Sequence, residues 1–214
     1  MSVCYVSHID SMAASIVQLR KHLPNWLTYF RIAVIPALVV AFFIKDEIGD
    51  VLCALLFLTA CITDWLDGYL ARSWQAESSI GRFLDPIADK LLVATALLLL
   101  VSHGREYVYE GRAMIIPAIA IVCREILVSG LREFLAELRV SVPVSRLAKW
   151  KTGVQMTAIF LLLLGPAGPS ASKWLNTAVL GNALLWLAAL LTLVTGYAYL
   201  KTGWAHLNRD GAPP

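Results

Sequence analysis

The sequence predicts an all-α integral membrane bundle of six transmembrane helices with an N-terminal interfacial amphipathic helix. Three observations point there. Of 214 residues, 58% are hydrophobic and 15% charged, against roughly 45–50% apolar and about 25% charged in soluble globular domains. Apolar runs recur six times, separated by polar or turn-rich breaks, and a bilayer-crossing helix needs about 20 mostly apolar residues. The basic residues are sorted by side: only four of 18, Lys45, Arg105, Arg112 and Lys173, fall in the loops after the first, third and fifth runs. Together these exclude a separate soluble domain, a disordered chain and a secreted disulfide scaffold.

In chain order, residues 1–23 read as a juxtamembrane segment. Ile9, Met12, Ala13, Ile16 and Leu23 recur at roughly helical spacing, which suits a helix lying in the interface. Arg20 and Lys21 follow its weak apolar stretch instead of preceding it, unlike a signal peptide. Residues 24–202 hold the six spans, expected near 26–44, 51–72, 83–101, 113–137, 150–164 and 175–200. Residues 203–214 read as a tail. Gly165-Pro166-Ala167-Gly168-Pro169 is the clearest turn. Positive residues favour the cytoplasmic side, so both termini are expected there. Six of the seven tryptophans cluster near span ends, Trp186 being the exception, and such rings prefer the interface. Cys4, Cys53, Cys61 and Cys123 show no CxxC spacing and read as small hydrophobes.

Four carboxylates break the apolar pattern. Asp64 and Asp67 are three residues apart and Asp85 and Asp89 four apart, so each pair shares one helix face. A short polar turn folds the second and third spans back on each other, so the pairs can face one another. Asp64 lies eight residues before Arg72, about 12 Å below the helix end. An Asp near a span centre costs roughly 2.5–3.5 kcal/mol, and four like charges also repel. Lys90 and Arg72 neutralise only part of this. One remedy is a divalent cation, or two, and carboxylate oxygens suit Mg2+ or Mn2+. No His or Cys stands beside the acids, which argues against zinc. The plainer reading is a buried Asp–Lys/Arg network that only stabilises the bundle. Gly68, Ala71 and Gly81 are small enough to let a helix or a ligand approach the backbone. Arg72 can pair with a phosphate or simply anchor the span.

The spacing Asp64-x2-Asp67-Gly68-x2-Ala71-Arg72-x8-Gly81-x3-Asp85-x3-Asp89 resembles the signature of the CDP-alcohol phosphotransferase family. Pro24 to Arg31, Arg124-Glu125-Ile126 with Leu131-Arg132-Glu133, and Lys149-Trp150-Lys151-Thr152 resemble one branch of it, the phosphatidylglycerophosphate synthases. The likeness covers the chain from Pro24 to about Leu200. It implies six spans, a homodimer, two divalent ions, Mg2+ or Mn2+, in a cavity open to the cytoplasm, and a place in the bacterial inner membrane. It implies that Asp64, Asp67, Asp85 and Asp89 hold the metals and that Asp89 is also the catalytic base. It further implies that Asn25, Thr28, Arg31, Gly68, Ala71, Arg72 and Gly81 hold CDP-diacylglycerol. Arg124, Arg132, Lys149 and Lys151 match the branch's pocket for sn-glycerol 3-phosphate. The implied products are phosphatidylglycerol phosphate and CMP.

Rival readings remain at this stage. Membrane prenyltransferases also place aspartates on helices, but in two motifs far apart in sequence. A divalent-cation transporter would account for the acids but not for Gly68, Ala71 and Arg72. Within the family, another acceptor such as inositol phosphate competes, whereas serine would leave the basic residues without a phosphate to bind.

Overall fold

A computed structural model describes residues 26–44, 46–74, 79–102, 112–137, 146–165 and 177–210. Within them lie six helices: α1 (Trp26–Phe42), α2 (Glu47–Trp74), α3 (Ser79–Ser102), α4 (Arg112–Glu137), α5 (Arg146–Leu164) and α6 (Thr177–Asp210). The fold is all-α, as its apolar runs predict. The expected interfacial helix in residues 1–23 lies outside the described residues.

Glu47–Leu70, Met114–Glu137 and Thr177–Lys201 are long and apolar enough to cross a bilayer. The apolar helices Trp26–Phe42 and Trp150–Leu164 are shorter. α3 falls in neither group, and for α3 and α5 the shortfall has a physical reason. α3 and α5 begin in charge, with Asp85, Asp89 and Lys90 on one and Arg146, Lys149 and Lys151 on the other. Polar chemistry therefore takes over part of the depth that hydrocarbon-facing residues would otherwise fill. α6 departs from expectation in the other direction, running on to Asp210 through most of the segment read as a tail.

α5 packs most extensively on α6, α6 on α4, α2 on α5 and α3 on α4. Each helix sends a fully buried side chain into one core: Leu38, Phe57, Leu92, Ile121, Ile159 and Leu185. The outside is equally apolar. Val40, Ile48, Leu98, Ile116 and Leu190 are all at least 60% exposed. Helices hydrophobic on every side belong in a membrane.

α2 and α3 are consecutive yet touch only sparingly. α1 bridges them near the end where α2 finishes and α3 starts. Lower down, the Cys53 thiol of α2 points at the Leu38 carbonyl of α1 at 3.9 Å. Interfacial aromatics collect at that same end: Trp26, Trp65, Phe83 and Trp150 are strongly exposed. Trp65 stacks on Tyr69 with ring centroids 5.8 Å apart.

Candidate active site

Arg31 of α1 is completely buried. Its Nη2 donates to Asp67 Oδ2. Its Nη1 stands 2.6 Å from Asp64 Oδ1, close enough for strong attraction but off the hydrogen-bond direction. One guanidinium thus spans both α2 acids, a task its planar fork suits. Removing a charge from water costs several kcal/mol, and the two carboxylates offset that cost. Thr28, three residues earlier on the same face of α1, donates its hydroxyl to Asp85 Oδ1 at 2.6 Å. α1 therefore ties α2 and α3 together through the very acids singled out by spacing.

The two acid pairs lie within electrostatic reach of each other, since Asp85 acts on both Asp64 and Asp67. Asp89, one turn further along α3, is within electrostatic reach of Asp64, Arg31, Glu125 and Lys151. Pro86 has no backbone N–H, so the α3 ladder lacks one bond directly beside Asp85. Gly81 is buried and Gly68 partly so. Cys61 lies one turn from Asp64, nearer than the sequence reading allowed, but its sulfur contacts Met156 Sδ at 3.9 Å.

Among the described residues, no three His, Cys, Asp or Glu side chains close on one point as a metal cage does. The chemistry of the donor set nevertheless suits a hard divalent ion: four carboxylates offer oxygen alone. Among the described residues, the hydrogen bonds of Lys90 and Lys151 go to Ser129 and Glu125. Arg31 balances one of the cluster's four negative charges.

A basic group lies across α4, α5 and α6. Lys151 is buried and donates to Glu125 Oε1. Arg124 Nη1 stands 3.6 Å from the same oxygen, and its Nη2 donates to Thr195 Oγ1 at 3.0 Å. Arg132 lies two turns further along α4 and is exposed. Ala71 and Arg72 fall in the last turn of α2 and Lys149 in the first full turn of α5. Asn25 lies outside the described residues.

The structure thus brings together Thr28, Arg31, Asp64, Asp67 and Asp85 in one cluster and Arg124 and Lys151, through Glu125, in another, with Asp89 one turn beyond Asp85 on α3. Sequence reasoning quoted Glu125 in a motif without giving it a role, and missed Thr195. Glu125 had a signal, an acid beside an arginine deep in an apolar run. Thr195 had none, because threonine is common in spans.

The sequence profile of CDP-alcohol phosphatidyltransferases matches residues 21–194. The chain is 48% identical over 185 residues to the CDP-diacylglycerol–glycerol-3-phosphate 3-phosphatidyltransferase of Rickettsia felis, covering 86% of this chain and 97% of that one. Its counterpart of the same name in Rickettsia typhi is 49% identical over 181 residues, covering 85% and 96%. That of Yersinia pestis is 39% identical over 191 residues, covering 88% and 98%. This chain belongs to the CDP-alcohol phosphatidyltransferase family.

Proposed function

We propose that the protein transfers a phosphatidyl group from CDP-diacylglycerol to sn-glycerol 3-phosphate, giving phosphatidylglycerol phosphate and CMP. The observation that carries this reading is the acid cluster of Asp64, Asp67 and Asp85, tied together by Arg31 and Thr28, with Arg124 and the buried Lys151 meeting at Glu125. A reaction that joins an anionic donor to an anionic acceptor is served by such an arrangement. The names of the relatives support the same pair of substrates.

Asp64, Asp67, Asp85 and Asp89 would hold the divalent ions, Mg2+ or Mn2+. When bound, these neutralise the diphosphate and stabilise the leaving CMP oxygens. The chain's own residues do the rest. Thr28 and Arg31 hold Asp85, Asp64 and Asp67 in place. Gly68, Ala71 and Gly81 leave room for the CDP group, and Asn25 and Arg72 take part in binding it. Arg124, Arg132, Lys149 and Lys151 take the acceptor's phosphate, and Glu125 keeps Lys151 neutralised until it arrives. Asp89 accepts the proton of the attacking hydroxyl, a role that requires hydrogen-bond reach of that oxygen. The exposed aromatics set the site at the depth of the lipid headgroups, so the acyl tails stay in hydrocarbon. The homodimer and the cytoplasmic face of a bacterial inner membrane belong to the same proposal. The charge sorting of the loops supports the orientation.

The test is CMP release by purified protein from CDP-diacylglycerol with Mg2+ and a panel of acceptors. Release with glycerol 3-phosphate well above that with inositol phosphate, serine or glycerol supports the assignment. Release only with another alcohol moves it within the family, and none with any acceptor overturns it.

A further inference from the structure

The arginines of the basic group are held from α6, a helix outside every motif that the sequence displays. Thr195 is buried and gives its own proton to the Leu191 carbonyl at 2.8 Å. Its free lone pair is thereby fixed as the acceptor for Arg124 Nη2 at 3.0 Å. Gly196 makes room for the arginine stem: a Cβ there would stand 2.9 Å from Arg124 Cγ and 3.4 Å from Nε. Tyr199 lies one turn beyond Thr195 on the same face and is 6% exposed. The guanidinium carbons of Arg124 and Arg132 stand 5.9 and 5.6 Å from its ring centroid, within cation–π range.

Two like charges on α4 thus share one aromatic ring of α6. The negative face of a ring offsets repulsion between cations gathered at it. Arg124 Nε is buried and has no acceptor among the described residues. A phosphate oxygen is an acceptor of matching charge. We propose, on the reading of Arg124 and Arg132 as acceptor contacts, that Thr195, Gly196 and Tyr199 are positioning residues. They hold both guanidiniums ready for the acceptor's phosphate and so favour a phosphorylated acceptor over a neutral alcohol.

The experiment uses the full chain in lipid–detergent micelles and measures KM separately for glycerol 3-phosphate and CDP-diacylglycerol, with glycerol as the uncharged acceptor. Tyr199→Leu raises the glycerol 3-phosphate KM about tenfold. The CDP-diacylglycerol KM stays within about twofold, and the glycerol reaction is unaffected. Tyr199→Phe keeps the ring and restores most of the affinity. Adding Tyr199→Leu to the Arg124→Ala/Arg132→Ala double variant costs nothing further, as expected of a residue acting through both arginines. Equal rises in both KM values, or fully additive effects, overturn the proposal. If Tyr199→Leu does not fold, Gly196→Ala decides, because it displaces Arg124 while leaving the ring in place. A rise in the acceptor KM alone supports the cradle, and no rise refutes it. Failure of the underlying reading looks different: the unaltered protein would then not use glycerol 3-phosphate, or Arg124→Ala and Arg132→Ala would leave its KM unchanged.

Discussion

Arg31 and Asp67, 36 residues apart in the chain, form an ion pair whose side chains are 0% and 6% exposed. Breaking a buried pair from one side strands the other charge, at a cost of about 3–5 kcal/mol. Arg31→Ala should therefore lower thermal stability in detergent by an amount in that range. Arg31→Lys should recover only part of it, because an ammonium cannot span Asp64 and Asp67 together. Unfolding of Arg31→Ala at the unaltered temperature would refute this role.

Asp67→Asn keeps the side-chain shape and an oxygen for Arg31 but removes one negative charge. We expect a folded protein with CMP release abolished. Near-normal turnover would contradict the assignment of the acid cluster.

Chelation should stop CMP release, and added Mg2+ or Mn2+ should restore it. Full activity in excess chelator would separate the carboxylates from metal binding. Zn2+ is expected to substitute poorly, since the donors are carboxylate oxygens.

Lys151→Met removes the cation that Glu125 binds while keeping most of the buried volume. The glycerol 3-phosphate KM should rise about tenfold, with a smaller change for CDP-diacylglycerol. Lys149→Ala should show the same bias. Equal changes for both substrates would mean that neither lysine contacts the acceptor.

Gly181 lies where α6 meets α5. A Cβ there would stand 2.8 Å from Leu162 Cγ and 3.2 Å from its backbone nitrogen. Gly181→Ala should cost about 1–3 kcal/mol through overpacking, read as a lower unfolding temperature. KM values should not move, because the contact belongs to the core and not to the site.

Helix positions were legible because hydrocarbon demands long apolar runs, and the breaks between them are punctuated by charge, glycine and proline. The aspartates were legible for the converse reason: a carboxylate in such a run requires an explanation. The partners of those acids were not. Nothing in the spacing of Thr28 and Arg31 shows that both turn toward α2 and α3, because that depends on how sparingly these two helices touch. Tyr199 is equally silent, since an aromatic near a span end reads first as an interfacial anchor. Its burial against two arginines follows from the packing of α6 on α4.

The tight link between α1 and α2 bears on how the chain enters the bilayer. Phe43 and Ile44 turn back on Val40 and Ala41, Asp50 N–H reaches Asp46, and Gly49 tucks beneath the Ile44 carbonyl. During synthesis α1 emerges first, carrying Arg31 without its counter-ions. Alone in the bilayer it would bear part of the roughly 2.5–3.5 kcal/mol that a charge at a span centre costs. A hairpin delivers Asp64 and Asp67 together with the arginine, so the guanidinium meets its counter-ions when the two segments enter together.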